Sequence, residues 1–171
     1  MAEEHKYVKI ARKAIKKYVN ENKEINLEGE ISPDMEKRAG VFVSLKKRGK
    51  LRGCIGTIKP TQDNLASEIT NNAISAATRD PRFAPVIAEE VDELAINVDV
   101  MGEPEKITGP QQLDVQEYGV IVKKGWRSGL LLPDLKGIDS VEKQIDVARR
   151  KAGIGRNEEV ELYRFKVERY E

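Results

Sequence analysis

Apolar positions along this chain alternate between two periods, and the changes of period mark out its elements. Tyr7, Val8, Ala11, Ile15, Tyr18 and Val19 recur at spacings of three and four, which places them on one face of a helix from His5 to about Asn20. His5, at the start of that helix, reads as a solvated residue. The stretch from Glu21 to Asp34 mixes Asn22, Gly29, Ser32 and Pro33 and reads as a loop. The period then drops to two. Val41, Val43 and Leu45 alternate with Phe42 and Ser44, a strand from Gly40 to Lys46, and Leu51 to Ile58 returns as a second strand after the turn at Lys47-Arg48-Gly49-Lys50. Leu65, Ile69, Ala73 and Ala76 make a second helical face, with Thr61 or Asp63 as its cap. Leu94, Ile96, Val98 and Val100 alternate with Asn97 and Asp99 in a half-buried strand, which Glu103-Pro104-Glu105 ends. Tyr118 to Lys123 and Gly129 to Leu132 predict a second hairpin whose tip carries Trp126, the only tryptophan. Val141, Ile145, Ala148 and Ala152 form a third helical face closed by Gly153, and Tyr163, Phe165 and Val167 form a closing strand.

One segment concentrates the chemistry. Leu51-Arg52-Gly53-Cys54-Ile55-Gly56 holds the only cysteine, a cation two residues before it, and two glycines around it. Alternation in an extended strand puts Leu51 and Ile55 on one face and Arg52 with Cys54 on the other. A cation beside a thiol favours the thiolate, and so makes the sulfur nucleophilic near neutral pH. Gly53 and Gly56 leave space for another chain segment or for a ligand. The competing reading is a buried cysteine that serves as a small hydrophobe.

A second segment, Arg79-Asp80-Pro81-Arg82-Phe83-Ala84-Pro85, has two prolines that exclude regular helix. Asp80 has Arg52, Arg79 and Arg82 as candidate partners. Asp80 then either holds a loop rigid while Phe83 plugs the core, or orients arginines that bind a carboxylate or phosphate in bidentate fashion. Asn72, with Asn71, Ser75 and Thr78, makes the second helix unusually polar; these residues are either exposed or line a cleft and supply hydrogen bonds there. The candidate catalytic residues are thus Cys54, Arg52 and Asp80, and the candidate substrate-binding residues Gly53, Gly56, Arg82 and Asn72.

Composition narrows the partners. With 30 basic and 29 acidic residues among 171, the formal charge is +1, so no global field draws the protein to nucleic acid or to an anionic membrane. Five of the seven residues from Lys46 to Arg52 are basic, a local patch that suits either an anionic ligand or a solvated turn that discourages edge pairing. Aromatics make up only 5%, which argues against single-strand binding by base stacking. One cysteine and one histidine cannot assemble a zinc site of the usual ligands, and neither a dinucleotide fingerprint nor a P-loop is present, so no metal or cofactor is expected. The polar, acidic start lacks the pattern of a signal peptide, and no apolar run approaches the ~20 residues that span a bilayer. A single domain over 1–171, cytoplasmic in location, is expected.

The order of these segments resembles the AMMECR-type domain family, whose prokaryotic members are also called AmmeMemoRadiSam system protein A. The resemblance rests on Gly40-Val41-Phe42-Val43-Ser44-Leu45, the Leu51 to Gly56 segment, Ala76-Ala77 before Asp80-Pro81-Arg82-Phe83, Ser128-Gly129-Leu130-Leu131-Leu132-Pro133, and Lys151-Ala152-Gly153-Ile154. It implies an α+β fold with a mainly antiparallel sheet flanked by helices, in a larger and a smaller lobe with a cleft between them. It places Arg52, Gly53, Cys54 and Gly56 at the family's signature segment, and its prokaryotic name implies a pathway shared with Memo-like and radical SAM proteins. Some relatives have histidine where Tyr118 stands and cysteine near Arg149. No Cys-His pair through those positions exists here, so activation of Cys54 falls to Arg52, a carboxylate or a substrate group. Two functions remain in play: an enzyme or enzyme subunit acting on an anionic small molecule through Cys54, and a non-catalytic adaptor whose basic hairpin and Trp126 meet a protein or RNA.

Overall fold

The computed structural model describes Ala2–Glu171 as two compact units, residues 2–101 with 168–171, and residues 102–167. Each unit pairs a four-stranded antiparallel sheet with helix, an α+β architecture.

In the first unit the elements are α1 (Lys6–Glu21), β1 (Val41–Lys47), β2 (Lys50–Gly56), α2 (Leu65–Thr78) and β3 (Leu94–Met101). Its sheet runs β2-β1-β3 and ends on β8 (Val167–Tyr170). Val41, Val43 and Leu45 of β1 lie opposite Val100, Val98 and Ile96 of β3, and all six are buried against the apolar faces of α1 and α2. The intervening Phe42 and Ser44 face the other way and are half-buried. Arg48 and Gly49 both have positive φ (52° and 77°), which gives the two-residue turn whose twist matches an antiparallel hairpin. The turn sets Lys47 opposite Lys50 and Lys46 opposite Leu51, but Leu45 lies opposite Gly53, so Arg52 is an extra residue, a β-bulge. That single insertion decides which way the rest of β2 faces. Gly53 joins Leu45 on the helix side, and Cys54 joins Ser44 on the opposite side. Without the bulge, Cys54 would face the core.

α2 reaches the sheet closely because its contact face is small. A methyl group at Gly53 would come 2.2 Å from the Ala76 carbonyl oxygen, so only glycine lets the helix backbone approach there. The N-cap of α2 is Asn64, whose side chain accepts from Ser67 N at 2.8 Å, rather than Thr61 or Asp63. Thr61 is held instead by the buried Glu68, which accepts from the hydroxyl groups of Thr57 and Thr61 and from the backbone of Thr61 and Gln62 and so draws that segment against the helix. His5 is not simply solvated: it caps α1 by accepting from Tyr7 N at 3.2 Å, and its ring lies 4.6 Å from that of Tyr7 and 4.4 Å from that of Tyr170.

The second unit holds β4 (Glu105–Ile107), β5 (Gly119–Lys124), β6 (Arg127–Leu131), α3 (Val141–Ala152) and β7 (Glu161–Phe165), with sheet order β4-β7-β5-β6. Val120, Val122, Leu131, Ala148 and Ile154 form its core. Gly129 repeats the device at Gly53, since a methyl group there would stand 2.0 Å from the Ala148 carbonyl oxygen of α3. The closing strand read from alternation at Tyr163, Phe165 and Val167 is two strands: β7 ends at Phe165, β8 begins at Val167, and they belong to different sheets. No helix among the described residues is long and apolar enough to cross a membrane.

Candidate functional site

Cys54 is half-buried on the face of the first sheet that points away from α1 and α2. Its neighbours across the ladder are Ser44 and then Asn97, and its Sγ lies 3.3 Å from the Ser44 Oγ. In an antiparallel pair, every second residue directs its backbone N–H away from its partner strand. On β2, an edge strand, that N–H needs an acceptor from elsewhere. Asp80 supplies it: Oδ2 accepts from Cys54 N at 3.0 Å.

The same carboxylate binds Arg82. Its Oδ1 accepts from Arg82 Nε at 3.0 Å and from Arg82 N at 3.1 Å, and its Oδ2 from Nη2 at 2.8 Å. Nη2 also donates to the Cys54 carbonyl oxygen at 3.5 Å. The side chain of Asp80 is 2% exposed and that of Arg82 56%, so a buried carboxylate holds an exposed guanidinium beside the thiol-bearing residue. Hydrogen bonds from Arg82, and then from the backbone of Cys54 and Arg82, hold the Asp80 carboxyl well below the usual carboxylate range against the opposing cost of burial. The Nη1 edge of Arg82 has no partner among the described residues, which leaves donors able to meet an anion.

Of the three arginines within reach of Asp80 in sequence, Arg82 is the one that pairs with it. Arg79 instead bonds Ser75 and lies over the Tyr18 ring. Arg52, at the bulge, is turned to a different carboxylate: its Nε and Nη2 donate to the two oxygens of Glu90, each at 3.1 Å, and its Nη groups to the carbonyls of Ala84 at 2.7 Å and Pro85 at 3.3 Å. Lys47 joins the same Glu90 at 3.1 Å. Arg52, first among these contacts, pushes the Glu90 carboxyl down to about 2. The cation that reaches the backbone of Cys54 is therefore Arg82, while Arg52 ties β2 to residues 84–90.

The remaining candidates are engaged by the protein itself. Gly53 is covered by α2. A methyl group at Gly56 would come 2.2 Å from the Phe42 ring, which fills the space above it. Asn72 is buried and donates to the Val41 carbonyl at 2.9 Å and the Thr57 hydroxyl at 3.1 Å, fastening α2 to the end of β1. Phe83 is only half-buried, and Val86, which donates to the Ala77 carbonyl at 2.8 Å, is the residue of that loop that enters the core. Three residues at or beside the site escaped the sequence reading. Ser44 was visible as a polar position on β1, but its pairing with Cys54 depends on the bulge. Glu90 sits in an acidic run that looks like any solvated face, and Glu68 is a lone carboxylate in a helix whose polar positions read as exposed or cleft-lining.

A family model described as AMMECR1 matches residues 8–170. The chain belongs to the AMMECR1 family. Among its relatives, a protein of Thermotoga maritima is 51% identical over 99% of both chains. A Clostridium acetobutylicum protein is 44% identical over 98% of this chain, which spans 36% of that longer protein. The crystal structure of uncharacterized protein PH0010 from Pyrococcus horikoshii matches with a TM-score of 0.88 at 35% identity, covering 95% of this chain and 88% of that one. The family's members among these relatives carry names that assign no activity.

Proposed function

We propose that this AMMECR1-family protein is an enzyme, or an enzyme subunit, that acts on an anionic small molecule at Cys54. One observation carries the reading: Asp80 accepts the Cys54 N–H with the same carboxylate that clamps an exposed Arg82. A cation fixed in this way costs little further ordering when it binds a ligand, because its side-chain freedom is already lost. In this reading Arg82 receives the carboxylate or phosphate of the substrate, Cys54 is the nucleophile, and Ser44 hydrogen-bonds the sulfur. Asp80 and Arg52 are positioning residues, one for Arg82 and the other for β2.

The test uses two alkylating probes of similar size, one anionic and one neutral. Because Cys54 is the only cysteine, the label reports this site alone. Iodoacetate should react faster relative to iodoacetamide in the native protein than in Arg82→Ala, by several-fold. A thiol that reacts with neither until the protein unfolds would end the catalytic reading.

A second reading, the adaptor, is favoured by Trp126, which is 91% exposed at the tip of the β5–β6 hairpin. The resemblance suggests Memo-like and radical SAM proteins as its partners. Trp126→Ala should then abolish co-purification with a Memo-like protein from the same organism; unchanged recovery would exclude the tip as that contact.

A further inference from the structure

α3 buries Gln144 and Ala148 and leaves its opposite face to solvent, where a groove of about 530 Å³ runs along it. Lys143, Arg149, Arg150 and Arg156 line the groove against only two carboxylates, Glu142 and Asp146. None of these residues belongs to the Cys54 site.

The arginines are placed, not merely present. Arg156, ten residues beyond Asp146, folds back to donate from Nε and Nη2 to its two oxygens, each at 2.8 Å. Arg150 Nη2 approaches the same carboxylate at 3.6 Å from one turn along the helix. Arg149 is pinned behind them by the carbonyls of Gly155 at 2.7 Å and Glu158 at 2.9 Å. One carboxylate, 19% exposed, thus gathers two guanidinium groups that remain 71% and 80% exposed. A single negative charge cannot neutralise them. The pull of these arginines on Asp146, which lowers its carboxyl below the usual range, reflects the same local excess of positive charge. Lys143 stands two turns before Arg150, ~10 Å along the same face at 1.5 Å per residue. The groove therefore offers cations at both ends of a span that suits two linked phosphates better than one.

We infer that the exposed face of α3 binds a small molecule that carries two linked phosphates, held by Arg150 and Arg156 with Lys143 at the far end. Arginine suits this role because its planar donor fork meets phosphate oxygens in bidentate geometry.

Titration calorimetry of the full chain with pyrophosphate, ADP and a single-stranded oligonucleotide tests it. Saturable binding of pyrophosphate and ADP is expected, with Kd raised at least tenfold in Arg150→Ala/Arg156→Ala. Both side chains are exposed, so the fold should survive, and circular dichroism verifies that. Glu142→Gln, which removes a negative charge that makes no ion pair in the groove, should tighten binding about twofold. Arg79→Ala, a cation elsewhere on the surface, should leave it unchanged. Absence of saturable binding by both phosphate probes, or a Kd unmoved by the double substitution, overturns the inference. Preference for the oligonucleotide over ADP overturns the ligand class and makes the face a nucleic-acid surface.

Discussion

Asp80 and Arg82 are two residues apart and form a closed clamp: three hydrogen bonds join them, and a fourth runs from the same carboxylate to the backbone of Cys54. Asp80→Asn keeps the shape of the side chain and removes its charge. The variant should lose about 2 kcal/mol of stability, the scale of hydrogen bonds to an ionised group, and the preference of Cys54 for iodoacetate over iodoacetamide should fall toward that of Arg82→Ala. Denaturant titration and alkylation rates measure the two effects separately. A stable variant that keeps its preference would show that Arg82 does not need the clamp.

The Arg52–Glu90 pair makes an acid-sensitive contribution of definite sign. The folded carboxyl of Glu90, held at about 2, lies below its ordinary value of 4.5. The folded state therefore binds fewer protons than the unfolded state between those values, and stability rises with pH there. The contribution should be complete above about pH 4.5 and disappear as the pH falls toward 2. Glu90→Gln should be less stable than the parent near pH 7, and the gap between the two, measured by urea titration, should narrow through that window. A gap independent of pH would assign the loss to packing.

Gly53→Ala should be among the most damaging changes in the first unit. The clash is with the backbone oxygen of Ala76, which cannot move without shifting α2, and about 3 kcal/mol or more should be lost. Gly56→Ala meets the Phe42 ring, a side chain that can yield, so it should cost less and be partly rescued by Phe42→Leu. Equal losses at the two glycines, by thermal denaturation, would contradict this distinction.

Glu68→Gln should loosen a segment with no strand or helix of its own. The carboxylate collects its bonds from Thr57, Thr61 and Gln62, and an amide can accept through only one of its two end atoms. A loss of about 2 kcal/mol is expected, with faster amide exchange concentrated in residues 57–62. Exchange that rises uniformly across the first unit would argue for global destabilisation instead.

The elements with strong periodicity were legible. Of the six apolar positions of α1, Tyr7, Val8, Ala11 and Ile15 are buried and Tyr18 and Val19 half-buried, and β1 alternates as read; on β3 the apolar positions are buried as read, but Asp99 on the other face is buried too, held by Arg169. What the pattern could not carry was anything that depends on one extra residue. The bulge at Arg52 leaves no mark in composition, yet it reverses the facing of Cys54 and separates Arg52 from the role that alternation gave it. The three residues of β4 are too few to show a period. The division between β7 and β8 was hidden because alternation continues through Lys166 while the hydrogen-bonding partners change. At the site, the choice among Arg52, Arg79 and Arg82 for Asp80 was a question of geometry that spacing leaves open.

β2 lies at the margin of its sheet, and a strand so placed offers its outward amides and carbonyls to any other extended chain. Here those groups are met by side chains and a loop. Asp80 takes the Cys54 N–H, Arg82 reaches the Cys54 carbonyl, and Arg52 ties the strand to residues 84–90. The clamp is therefore also a guard against self-association. Its loss should be seen in light scattering, as molecules joined through the uncovered margin of β2, under conditions where the parent chain stays dispersed.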